Sequence, residues 1–240
     1  MIGCAVSLAG CGASQAAETA GSPAPAPSAA PATSAHPVVV ELFQSQGCSS
    51  CPPANTNVNA IADRPDVLAL SFAVTYWDQL GWKDTFGSPR WTARQWDYAH
   101  HGGRAQVSTP QVIVNGSTAI VGSNRQQLDA TIARAGPARG GPALARVGTT
   151  LRVGAGAAGA QSAVWLVRYD PRVRQVPIRA GENGGRTLPH RDIVREIVNL
   201  GAWTGPAATF AIPIGGETGL ASAVLVQRGI GGPITAALKL

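Results

Sequence analysis

The clearest apolar run in the chain is 38–43, VVVELF, rich in β-branched residues and interrupted only by Glu41; it predicts a strand. A polar turn with Gly47 follows, and 52–64 predicts a short helix with Val58, Ile61 and Ala62 on one stripe. Residues 67–74 form a second apolar run, long enough for a parallel strand buried on both faces. The stretch 75–89, TYWDQLGWKDTFGSP, reads as an aromatic loop and 91–101 as a helix. Residues 111–114 read as a third strand, which turns at Asn115-Gly116 into a partner at 118–121, and a helix over 125–135 closes this half. Beyond Gly136 helical spacing gives way to short apolar runs between Gly, Pro and Asn turns, at 144–153, 163–169, 175–178, 193–200, 209–214, 223–227 and 234–238. Strands of this kind predict a small antiparallel sandwich.

The first 36 residues have another character. Residues 1–11 are apolar and end in Leu8-Ala9-Gly10-Cys11, similar to a bacterial lipobox, whose cysteine is lipidated. No Lys or Arg precedes Cys11 and the apolar stretch is short, so the segment reads as a lipoprotein signal shortened at its start. Residues 12–36 hold Ala, Pro, Ser, Thr or Gly at 22 of 25 positions, too little apolar surface to order a chain. They read as a disordered linker reaching roughly 25–30 Å, which suits a domain held off a membrane. The expected location is the periplasmic side of a bacterial membrane, the outer membrane, with the lipid anchor as the membrane contact. That compartment permits disulfides.

Composition adds limits. An apolar content of 45% over 240 residues is enough for a large core, and no run approaches a membrane-spanning length. Charge is uneven: residues 37–135 carry seven basic and seven acidic side chains, residues 136–240 twelve and five. The excess reads as an Arg-rich solvated face, with an anionic membrane surface or an acidic partner as the alternative. With no recognisable binding motif, nucleic acid is not expected.

Of the four cysteines, Cys4 and Cys11 fall in the leader, leaving Cys48 and Cys51 in the folded part. Strand, turn, Cys48-Ser49-Ser50-Cys51, two prolines and a helix start follow in the order of the thioredoxin-type redox signature. The element order β-α-β-α-β-β-α is likewise that of the thioredoxin fold. The expected fold class is an α/β thioredoxin-like domain over 37–136, followed by a mainly β, sandwich-like domain over 137–240. Positive charge at the helix start favours a Cys48 thiolate as nucleophile, and Cys51 then resolves the mixed disulfide. A purely stabilising bridge is the alternative, and its four-residue loop gains only about 2 kcal/mol. Zinc needs two further ligands and copper a third, and the sequence places none beside the pair; no metal and no cofactor is expected. His100, His101 and His190 show no ligand spacing and read as surface or capping residues. Trp77, Asp78 and Trp82 form an aromatic loop suited either to lining a peptide groove or to covering a core edge.

ELFQSQGCSSCPP, TYWDQLGWKDTFGSP, STPQVIVNG and VRYDP…RAGENGGRTL…IVREIVNLGAW together resemble one family across residues 38–240. It comprises bacterial secreted proteins catalogued as a domain of unknown function, with a thioredoxin-like N-terminal part. Ala73 departs from the polar or His residue that relatives carry there, which weakens a metal reading of the loop. The resemblance implies a cis-proline at Pro110 facing the dithiol, with Thr109 offering its backbone to an extended substrate. It also implies a proton-accepting acid before the first cysteine, a role for which Glu41 is the candidate, with a solvent-facing strand residue as its alternative. The function expected is a lipid-anchored periplasmic thiol-disulfide oxidoreductase acting on protein cysteines and served by a redox partner protein. The competing reading is a non-catalytic binding or assembly lipoprotein; copper handling is the third.

Overall fold

The computed structural model describes residues 1–3, 33, 35–157 and 161–240; the lipidation candidate Cys11 lies outside them, as does nearly all of the 12–36 linker. In chain order the elements are β1 Val38–Gln44, α1 Pro52–Asn59, β2 Val67–Ala73, a 3-10 turn Asp78–Leu80, α2 Pro89–His101, β3 Gln111–Val114, β4 Thr118–Ile120 and α3 Arg125–Ala135. There follow β5 Leu144–Val147, β6 Thr150–Val153, β7 Ser162–Asp170, β8 Arg174–Pro177, β9 Thr187–His190, β10 Ile193–Trp203, β11 Ala208–Ala211, β12 Ala221–Arg228 and β13 Ile234–Lys239.

The expected α/β thioredoxin-like domain with a separate β-sandwich is not what forms. The described chain is mainly β, and one mixed eight-stranded sheet runs through both halves in the order β13-β12-β7-β10-β2-β1-β3-β4. The N-terminal elements occur in the anticipated order, yet β2 is not an edge. β10 lies parallel to it at Ile193 and Ser71, and the Ser71 N–H donates to the Asp192 carbonyl at 2.8 Å. Single-sequence patterning reports which residues pair with a core, not which distant strand takes an open edge.

The ladder between the halves is short, so packing unites them. One cluster joins Val39 and Phe43 of β1, Leu68, Leu70 and Phe72 of β2, Trp91 and Tyr98 of α2, Val167 and Tyr169 of β7, Val194 and Ile197 of β10, and Leu225 of β12. The opposite face is covered in two patches. Val58 of α1 and Leu128 and Ile132 of α3 cover Val38, Val40 and Leu42 of β1. A three-stranded sheet, β11-β6-β5, presses Leu151 and Val153 onto Val164, Leu166, Val224 and Val226. Two further differences from the sequence reading are local. The run 144–153 is a hairpin rather than one strand, because Gly148 turns at φ +60°. β9 carries too little apolar alternation to be read as a strand, and it pairs with β8.

Helix boundaries follow their capping chemistry. The Ser88 side chain accepts from the Arg90 N–H ahead of Pro89, and the Asn124 side chain accepts from the Gln127 N–H; α3 ends at Gly136, with φ +59°. Leu70 lies fully buried in the cluster the halves share. Leu70→Ala should lower the unfolding free energy by about 2–5 kcal/mol while urea unfolding keeps one cooperative transition. Two separated transitions would show that the cluster does not unite the halves.

Candidate functional site

β1 delivers the chain into a tight loop. The Cys48 N–H donates to the Ser45 carbonyl at 3.1 Å, and the Gly47 N–H to the Ser45 hydroxyl at 3.1 Å. Cys48 and Cys51 are joined as a disulfide, their Cα atoms 5.4 Å apart. Both are buried, with 0% and 2% of their surface exposed. Cys51 is the N-cap residue of α1, its carbonyl accepting from the Asn55 N–H, and Pro52 and Pro53 fill the first turn. Those prolines carry no N–H, so the helix start presents fewer donors than the sequence reading assumed.

Across from the pair lies the Thr109–Pro110 peptide, which is cis; the Thr109 carbonyl oxygen is 3.8 Å from Cys48 Sγ. The segment is held from α2, where Gln95 Nε2 donates to the Ser108 carbonyl and to Gln111 Oε1. Trp77 Nε1 donates to Thr109 Oγ1 at 2.7 Å, and Trp82 Nε1 to Gln46 Oε1 at 2.9 Å. The structure therefore brings Cys48, Cys51, Thr109, Pro110, Trp77 and Trp82 together. Asp78 supports the same loop by accepting from the Asp84 N–H.

Glu41 stands apart from this group. It shares the sheet face of Val39 and Phe43, as period two requires, and that face is covered by α2 rather than α1. It is fully buried rather than solvent-facing. Its carboxylate accepts from Arg94 Nε at 2.8 Å and from the Tyr98 hydroxyl, and Gln227 Nε2 donates to the same hydroxyl. Glu41 is thus an anchor in a buried ionic network, bonded to Arg94 and Tyr98 rather than to the cysteines.

Three residues beside the pair were not singled out in the sequence: Asp84, Asn183 and Glu182. Asp84 is buried beneath the loop; its carboxylate accepts from the Gln46 N–H at 2.7 Å and the Phe86 N–H at 2.8 Å. Burial outweighs those bonds and pushes its carboxyl up to about 6. The loop between β8 and β9 supplies the next two. Asn183, fully buried, donates through Nδ2 to the carbonyls of Gln46 and Cys48 at 2.9 and 2.8 Å. Glu182 accepts from the Ser49 N–H and hydroxyl at 3.0 and 2.7 Å, and those bonds hold its carboxyl below the usual range. His190, expected on the surface, is buried beside Asn55 of α1, and burial pushes it down to about 4. His100 and His101 are exposed, as expected. The Gly-Glu-Asn-Gly-Gly run at 181–185 was the available signal for this loop, since such a run folds back on itself: Gly184 and Arg186 N–H groups bond the Gly181 and Asn183 carbonyls. Among the described residues no cluster of three or more His, Cys, Asp or Glu is arranged to hold a metal ion.

The family described as "Protein of unknown function (DUF1223)" matches residues 39–227, and the chain belongs to it. A crystal structure of a protein from Agrobacterium tumefaciens, a structural-genomics target, is similar at 30% identity with a TM-score of 0.68, over 88% of this chain and 96% of that one. HBP35 of Porphyromonas gingivalis is similar in fold alone, at 14% identity and a TM-score of 0.56, over 85% of this chain and 74% of its own. No curated protein matches the chain.

Asp84 gives the site a pH signature. Its folded carboxyl titrates at about 6 against 3.8 for an unperturbed one, so the folded state holds the proton more tightly. The stability this contributes is complete below about pH 4 and is lost as pH rises through 6. Asp84→Asn, neutral throughout, should therefore gain on the wild type by about 3 kcal/mol between pH 4 and pH 7. Urea titrations of both proteins at the two pH values check this; a difference that stays constant would mean Asp84 does not titrate as its burial dictates.

Proposed function

We propose that the protein is a thiol-disulfide oxidoreductase acting on protein cysteines through Cys48 and Cys51. The observation that carries this reading is the pairing of a disulfide at the end of β1 with the Thr109 carbonyl, 3.8 Å from Cys48 Sγ. An extended substrate segment running beside Thr109 and Pro110 brings its own sulfur to Cys48, with Trp77 and Trp82 bordering the approach. Cys48 attacks, and Cys51, held against the helix start, resolves the mixed disulfide. We place the activity on the periplasmic side of a bacterial membrane, with a lipid at Cys11 as anchor and a second redox protein recycling the pair. The lipobox-like segment and the Ala/Pro/Ser linker support that placement.

One observation favours a second reading. Both sulfurs are buried, which suits a structural bridge in a binding or assembly protein. The two readings separate on trapping. Cys51→Ala in the exported protein should accumulate mixed disulfides with client proteins, visible as adducts that thiol reductants release, and Cys48→Ala should accumulate few. If neither variant traps a client, the binding reading replaces this one. Radiolabelled palmitate should enter the protein at Cys11 and be lost in Cys11→Ala; an exported, unlabelled, soluble protein would sink the anchor and leave the dithiol untouched.

A further inference from the structure

A dithiol's direction of electron flow depends on what surrounds its first sulfur once the bridge opens. Couples that oxidise their substrates do so because donors and positive charge stabilise the reduced thiolate. Here several of those donors are committed elsewhere or missing. The Ser49 N–H is taken by Glu182 and the Cys51 N–H by the Cys48 carbonyl. Pro52 and Pro53 have none, and the first turn of α1 is without a charged residue. What faces the sulfur is the negative end of the Thr109 carbonyl dipole.

The charges on the surrounding elements point the same way. From the β8–β9 loop comes the Glu182 carboxylate, bonded to the residue next to Cys48. From the aromatic loop comes Asp84 beneath Ser45 and Gln46, about half ionised at pH 6, with Asp78 behind it; the same loop carries the exposed Lys83. Arg186, on the same β8–β9 loop, is turned to Asn183 Oδ1 at 2.7 Å. α1, Thr109 and Pro110 bring no charged side chain.

Resting on the exchange reading above, we infer that the Cys48–Cys51 couple is a reductant of protein disulfides, and that Glu182 holds it there by withholding stabilisation from the Cys48 thiolate. Cys48 as thiolate attacks one sulfur of a substrate disulfide. A Cys48–substrate disulfide forms and one substrate thiolate leaves, taking up a proton. Cys51, losing its proton, then attacks Cys48 Sγ, expelling the second substrate thiol. Two electrons pass to the substrate and the Cys48–Cys51 bridge remains; a dithiol donor protein must reduce it for the next turn. Glu182 is a positioning residue in this scheme. It bonds Ser49, not the substrate, and its exposed carboxylate is open to screening by salt.

The test uses the full chain in the reduced form, wild type against Glu182→Gln, which keeps an acceptor for Ser49 and removes the charge. Iodoacetamide labelling of Cys48 at pH 6 should run about two- to five-fold faster in the variant at low ionic strength, the range of an exposed charge interaction. The rates should converge in 1 M sodium chloride. Equilibration with glutathione should show the wild type as disulfide even where reduced glutathione is in large excess, with the variant shifted several-fold toward the dithiol. Identical rates and equilibria in the two proteins would overturn the role of Glu182, as would a rate difference that salt does not change. A wild type fully reduced in that buffer would overturn the direction. Because these measurements use small thiols, a failure of client trapping is read separately, as a failure of the exchange reading itself.

Discussion

β1 and β2 run parallel with all fourteen of their residues buried, and a pair buried on both faces needs cover on both. That requirement dictates the architecture. α2 and the inner faces of β7, β10 and β12 close one side, while α1 and α3 close the other. It also fixes where chemistry is available. β1 is paired on both sides, to β2 and to β3, so its free geometry begins where it ends. There β1 releases the Cys48 loop, and β2 releases the aromatic loop that folds back beneath it through Asp84.

The same burial explains Glu41. A lone carboxylate in this position would be costly, and the fold answers with Arg94, the Tyr98 hydroxyl and Gln227. Gln227 belongs to β12, so the network ties the first strand to one of the last. Replacing such a set by apolar side chains often costs little stability, whereas removing one member strands a buried charge. Its effect here is to fix α2 along the sheet. The same helix uses Gln95 to hold the Ser108–Gln111 backbone, so the register of α2 sets how Thr109 meets Cys48.

Much of the chain was legible in the sequence, because local patterns report local facts. The β-branched runs are strands, and Asn115-Gly116 turns a hairpin with φ of 48° and 66°. The Cys48–Cys51 pair and the aromatic loop with Trp77 and Trp82 were legible because each sits in a short segment with a recognisable pattern, whereas Thr109 and Pro110 were singled out through the family resemblance. The union of the two halves was not. Ser71 gives no sign that a strand more than a hundred residues later lies beside it, and a polar residue in β2 is uninformative until Asp192 is found as its acceptor. Glu41 misled for a related reason: period two gave its face, but only the tertiary structure shows Arg94 waiting there. Asn183 and Glu182 lie in a glycine-rich loop that any turn-forming rule would accept without assigning it a target.

That loop helps set the shape of the site. The Cys48 loop is buried, and its Gln46 and Cys48 carbonyls have no strand partner; Asn183 Nδ2 bonds both. The Cys48 carbonyl also accepts from the Cys51 N–H, so the Gln46 carbonyl is the one that depends on Asn183; leaving that buried acceptor unpaired would cost on the order of 1–3 kcal/mol. Asn183 is in turn presented by the β8–β9 hairpin. The hairpin packs Val176, Ile178 and Leu188 against Trp82 and Phe86, and it leans on α1 where Asn55 and Asn59 bond the Pro189 carbonyl. The cysteines therefore come from one end of the chain, and the shape of the loop that holds them comes from the other. A local cysteine motif carries the reactive atoms, while their surroundings are a property of the assembled sheet.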